Sequence, residues 1–125
     1  MDILAANLTA PLGPRDAGIP LSPDEFEGAE FENGYRYELI HGVLVVNPIP
    51  LPAERSSNEK LGQLLGVFHD DHPQGAVLDG TLAEEYIHTP GSRRRADRVI
   101  WAGLGRQPNP SADVPTIVAE FVSAG

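Results

Sequence analysis

A chain of 125 residues is long enough for one domain with a modest core, and its formal net charge of -9 argues against non-specific attraction to nucleic acid or anionic membranes. The absence of cysteine excludes a disulfide framework and a thiolate metal site. The start, Met1 to Asn7, has no basic stretch leading an apolar one, and no later run could span a membrane, so a soluble cytoplasmic protein is expected.

Residues 1–20 hold Pro11, Gly13, Pro14, Gly18 and Pro20 without periodicity and read as a mobile arm ahead of a domain over 21–125. Ser22-Pro23-Asp24-Glu25-Phe26 combines an N-cap serine, proline at the first helical position and acidic residues in the first turn, which predicts a short helix ending near Gly28. After Asn33-Gly34 come two β-rich runs, Tyr35 to Ile40 and Val43 to Val46, separated by His41-Gly42. That spacing predicts a hairpin with Tyr35, Tyr37 and Leu39 on one face and Arg36, Glu38 and Ile40 on the other.

Beyond a proline-broken loop, Leu61, Leu64, Leu65 and Phe68 recur at helical spacing. Ser56 and Glu59 offer a capping box, although a start just after Pro52 is also open; the end falls around His69–His72. Then follow a short strand at Ala76-Val77-Leu78, a turn at Asp79-Gly80, a strand over Thr81–His88, a break at Pro90-Gly91 and a strand over Arg95–Trp101. A loop over Gly103–Pro115 leads to a last strand, Thr116–Val122. The order predicts an α/β (α+β) domain with a mixed sheet flanked by helices. Because a core strand of that kind is usually covered by a following helix, a domain incomplete at its C-terminus is expected.

Three carboxylates interrupt apolar strands: Glu38, Asp97 and Glu120. The run Ile117-Val118-Ala119-Glu120-Phe121-Val122 reads as a buried strand, and an unpaired carboxylate inside a dry sheet costs several kcal/mol. Carboxylates converging at a sheet edge suit Mg²⁺, a hard cation that takes oxygen ligands, keeps several waters and activates phosphate for in-line attack. The bland alternative places each at a strand end or in a local ion pair, Glu38 with Arg36 and Asp97 with Arg98.

Ser22–Phe26 and Tyr35-Arg36-Tyr37-Glu38-Leu39-Ile40-His41-Gly42-Val43-Leu44-Val45 resemble the N-terminal signature of the Uma2 (DUF820) family, endonucleases of the PD-(D/E)XK restriction-endonuclease-like superfamily. Ala96-Asp97-Arg98-Val99-Ile100-Trp101 is similar to that family's Pro-Asp-led strand, and Pro115–Ser123 to the strand carrying its second acidic residue. The resemblance covers about residues 22–123, in the family's order. It implies a restriction-endonuclease-like fold and phosphodiester hydrolysis in DNA with Mg²⁺ or Mn²⁺, by a protein that could form a homodimer. It further implies Asp97 and Glu120 as metal ligands and Glu38 as the upstream acidic residue of the catalytic set.

Some positions depart from the pattern. Ala96 replaces the motif proline, His41 stands where the family has an acidic residue, and Val122 occupies the lysine position of Glu120-Phe121-Val122. A lysine there would position water and stabilise charge developing on phosphate. Lys60, the chain's one lysine, is a poor substitute unless its helix faces the cleft. A catalytically inactive remnant or binding module that keeps the fold is the second reading, and a small acidic interaction protein the third. Arg93-Arg94-Arg95 is a candidate phosphate or DNA contact or else a solvated loop tip. His69-Asp70-Asp71-His72 reads as a solvated helix cap, Gly103-Leu104-Gly105 does not complete a dinucleotide loop, and Trp101, Phe121, Tyr37 and Phe68 are assigned to the core.

Overall fold

The computed structural model describes residues 10–122. Two helices, α1 (Pro23–Gly28) and α2 (Pro52–Asp71), accompany five strands: β1 (Tyr35–Ile40), β2 (Val43–Pro48), β3 (Leu78–Thr89), β4 (Ser92–Ala102) and β5 (Ile117–Ala119). The fold is mixed α/β. The strands pair in the order β2-β1-β4-β3, with β5 also on β4. The chain divides into two compact units, Met1–Ile49 with Thr89–Arg94, and Pro50–His88 with Arg95–Gly125, so that β4 contributes to both.

In the first unit, α1 forms where the local chemistry asks for it. Ser22 Oγ accepts the Glu25 N–H at 3.0 Å, Glu25 accepts the Ser22 N–H at 3.0 Å, and Pro23 occupies the first turn. The hairpin also forms as expected. Its register pairs Ile40 with Val43 across a two-residue turn in which His41 and Gly42 both have positive φ, 48° and 78°. Tyr37 and Leu39 are buried, joined by Leu12, Leu21, Phe26 and Leu44. Phe31 stands 5.2 Å from Phe26 and 4.5 Å from Tyr37 between ring centroids.

The expected arm differs from residue 10 onward; residues 1–9 lie outside the described range. Leu12 bridges Phe31, Pro20 bridges Val43, and Leu44 exchanges backbone hydrogen bonds with Gly18 and Ile19. The prolines and glycines that suppress periodicity here shape a strap, while Leu12 and Leu21 supply buried apolar surface.

β3 and β4 are neighbours in the sheet, and the expected break at Pro90-Gly91 separates them, with β4 starting at Ser92 and not at Arg95. The predicted strand at Ala76–Leu78 and turn at Asp79-Gly80 do not occur: Gly75–Val77 is a 3-10 turn and β3 runs through from Leu78. The Asp79 carboxylate instead accepts the N–H groups of Leu104 and Gly105 at 2.6 and 2.9 Å. Helix α2 starts after Pro52, with Glu54 accepting the Leu51 N–H, and not at a Ser56–Glu59 box. Its covered side includes Asn58, Leu61, Leu65 and Phe68, whereas Leu64 of the predicted stripe faces outward. Ala96, Val99 and Trp101 form the core cluster, with Ile87 packed against it. The expected buried strand Thr116–Val122 shortens to β5, an exposed strand with Ile117 at 52% and Val118 at 45% exposure. No helix among the described residues is long and apolar enough to cross a membrane.

Candidate functional site

β4 is covered on both faces from Ala96 to Trp101, which makes Asp97 and Arg98 ionisable residues in an apolar strand. Asp97 is 6% exposed, and its Oδ2 accepts the Phe121 N–H at 2.7 Å. Charge-assisted bonding of this kind fixes a carboxylate's orientation. The β4–β5 register pairs Arg98 with Ala119. β5 ends with that pair, and Glu120 follows it, next to the Phe121 whose N–H reaches Asp97.

Glu120 is not the buried charge expected from its apolar neighbours. It is exposed and lies just past the end of β5. With Leu51, Ala53, Glu54, Ser57, Phe121 and Val122 it lines a groove of about 460 Å³. Asp97 lines a separate cavity of about 140 Å³, together with Pro50, Arg55, Asn58, Glu59, Ala83, Glu84 and Arg98. Among the described residues no group of three or more His, Asp or Glu side chains is arranged to hold a metal ion. Val122, at the lysine position, is 89% exposed, and Lys60 is an exposed residue of α2.

Arg98, 7% exposed, does not pair with Asp97. Its Nε donates to Asn58 Oδ1 at 2.6 Å, one terminal nitrogen to Thr81 Oγ1 at 3.1 Å and the other to the Asn58 carbonyl at 3.1 Å. These acceptors are neutral, and burial pulls the guanidinium below the ordinary arginine range. Asn58 Nδ2 in turn donates to the Asp97 carbonyl at 2.6 Å. One buried asparagine of α2 therefore holds two successive residues of β4. Sequence patterning passes over Asn58 and Arg98, yet a signal exists. Asn58 falls three residues before Leu61 on the apolar side of the helix, and Arg98 sits in the run Ala96–Trp101; two polar residues on facing apolar surfaces have to satisfy each other.

In the first unit, Glu38 lies partly exposed on β1, and its Oε1 accepts from Asn47 Nδ2 at 3.3 Å. The arginine run separates by face. Arg93 donates to Glu27 at 2.6 Å and to the Thr89 and Ser92 carbonyls, and Arg94 is exposed. In the second unit, Arg95 reaches the Glu84 carbonyl at 3.3 Å and its carboxylate at 3.5 Å, and lies 5.6 Å from the Tyr86 ring centroid. The histidine pair at the end of α2 is an exposed cap: His69 contacts Asp70, and His72 accepts the Gln74 N–H and stacks on Phe68. No protein-family model, curated protein or solved structure matches the chain.

Proposed function

We propose that this chain is a nuclease domain of the restriction-endonuclease-like type, hydrolysing DNA phosphodiesters in the cytoplasm with Mg²⁺ or Mn²⁺. The reading is supported by one observation: Asp97, a buried carboxylate, accepts the N–H of Phe121, the residue that follows Glu120. Asp97 and Glu120 are the two acidic residues singled out by the resemblance to the Uma2 strands. Two carboxylates fit a hard divalent cation, which is commonly held by one or two such groups and otherwise by water. Asp97 and Glu120 would hold the ion, and when bound it supplies Lewis acidity toward a phosphate oxygen and lowers the pKa of a bound water.

The chain's own residues set the rest. The Phe121 N–H orients Asp97, and Asn58 pins the backbone of the same residue from α2. Glu120, being exposed, is accessible to a solvated ion. The resemblance also names Glu38 as a third acidic residue, but Glu38 belongs to the first unit, so the metal proposal rests on Asp97 and Glu120 of the second.

The lysine position favours a second reading, a fold-retaining binding module without turnover, because Val122 cannot position water or neutralise phosphate. Thermal unfolding with millimolar MnCl₂, followed by nicking of supercoiled plasmid, separates the readings. A metal-dependent rise in Tm lost in Glu120→Gln and Asp97→Asn, with nicking, supports the nuclease. The same rise without nicking supports the binding module, and no metal effect excludes both forms of the metal site.

A further inference from the structure

Arg98 raises a question that the metal reading leaves untouched. A guanidinium presents five N–H groups, and a buried cation is costly unless an opposite charge or a full set of hydrogen bonds compensates it. Arg98 makes three bonds, all to neutral oxygens of Asn58 and Thr81. Among the described residues no carboxylate forms an ion pair with it. Burial pulls its pKa below the ordinary arginine range.

The guanidinium borders the cavity of about 140 Å³, and Arg55, exposed on α2 one turn before Asn58 and Glu59, lines the same space. That volume accommodates a tetrahedral oxyanion with a water or two. Three carboxylates also line the cavity. Asp97 is engaged by the Phe121 N–H and Glu84 by Arg95, while Glu59 is an exposed helix residue. Space on α2 is kept open for the arginine: a Cβ on Gly62 would lie 2.8 Å from one terminal nitrogen of Arg98 and 3.1 Å from Cζ. The fold thus holds a desolvated positive charge rigidly at the wall of a small cavity, beside a second arginine that reaches it from the surface.

We propose that Arg98 and Arg55 form a binding site for a tetrahedral oxyanion, a phosphate group in free or esterified form. Arg98 supplies the fixed, dehydrated charge, and Arg55 closes on the ligand from solvent. The site stands whether or not Asp97 and Glu120 hold a metal, and it is tested without one.

The probe is inorganic phosphate against chloride at matched ionic strength, in EDTA, read by thermal unfolding. At phosphate ten times above its dissociation constant, Tm should rise by roughly 5 °C. The rise should disappear in Arg55→Gln, a surface change that leaves the fold intact, and in Arg98→Met, which keeps the volume and removes the charge. If Arg98→Met does not fold, Arg55→Gln decides. A parallel titration with dimethyl phosphate distinguishes the sources: a rise with both ligands supports a site that accepts diesters, and a rise with phosphate alone supports a site for the free ion. No rise with either, or a rise that persists in either folded variant, overturns the proposal.

Discussion

Asn58 holds Arg98 at two points, accepting from Nε with its side-chain oxygen at 2.6 Å and from a terminal nitrogen with its carbonyl at 3.1 Å, while its amide nitrogen donates to the carbonyl of Asp97 at 2.6 Å. A single side chain thereby joins α2 to two consecutive residues of β4. Replacing it by alanine strands a charged donor and a backbone acceptor in a buried setting. Asn58→Ala should cost about 3 kcal/mol, from the unsatisfied charged group together with the lost neutral bond. Urea unfolding measures it; a change below about 0.5 kcal/mol, the usual range for surface substitutions, would show that water replaces the clamp without loss.

Two glycines of α2 offer a matched pair. Gly66 has nothing within 4 Å of where a Cβ would sit, whereas Gly62 faces the Arg98 guanidinium. Alanine in a helix interior gains roughly 0.5–1 kcal/mol over glycine, so Gly66→Ala should stabilise by that amount. In Gly62→Ala the gain is outweighed, because the displaced guanidinium is held by three hydrogen bonds and overpacking costs about 1–3 kcal/mol. Opposite signs for the two variants in denaturant melts are the expected result, and equal stabilisation would mean that Arg98 moves freely.

The features legible in the sequence are those written within a few residues. Ser22 and Glu25 specify their own cap, and His41-Gly42 specifies its own turn, because the physics of each is local. Asp97 and Glu120 are singled out by the family resemblance, because pattern alone equally allows strand-end positions or local ion pairs. The burial of β5 was not legible, since a run such as Ile117–Val122 says that a strand can form but not what covers it. Leu64 shows the same limit on α2: helical spacing defines a stripe, and tertiary packing selects which edge of it is covered. Asp79-Gly80 has turn chemistry, yet the aspartate serves the Leu104 and Gly105 amides and the strand continues, so a long-range use overrode a local preference.

The hairpin turn has one non-ideal residue. His41 has φ 48°, a left-handed conformation that costs a β-carbon residue about 1 kcal/mol and that glycine or asparagine adopts more readily. His41→Gly should therefore raise stability by roughly 0.5–1 kcal/mol, provided that its N–H still donates to Ser92 Oγ. Thermal unfolding checks the sign, and a loss of stability would point to a packing role for the imidazole.

The loop after β4 carries a pH-dependent contribution. Hydrogen bonds from Arg106, then from the Asn109 N–H, hold the Asp113 carboxyl down to about 2 from an ordinary 3.8. A carboxyl whose folded pKa lies below its unfolded value adds stability that is complete above the unfolded pKa and fades as pH falls through the folded one. Stability from Asp113 should accordingly be constant above about pH 5 and decline between pH 4 and 2. The Asp113 carbonyl also accepts the Trp101 indole N–H at 2.8 Å, so Asp113→Asn keeps that backbone contact and removes only the charge. Melting curves of wild type and Asp113→Asn should differ at neutral pH and converge below pH 2; parallel curves across the acid range would remove Asp113 from the account.

The two acidic residues proposed as metal ligands differ in what they do for the fold, and that difference can be measured without a metal. Asp97 is buried and takes the Phe121 N–H, while Glu120 is exposed beyond β5. Asp97→Ala leaves that amide without its acceptor and should cost about 1–3 kcal/mol. Asp97→Asn keeps a side-chain oxygen in place and should cost less. Glu120→Ala should fall within about 0.5 kcal/mol of wild type, as surface substitutions do. An exposed carboxylate kept for stability would instead lower stability when removed, so a loss at Glu120 comparable with that at Asp97 contradicts a purely functional role. A neutral Glu120→Ala in metal-free urea melts, set beside a Glu120→Gln variant that no longer responds to Mn²⁺, would establish that this carboxylate serves a ligand and not the fold.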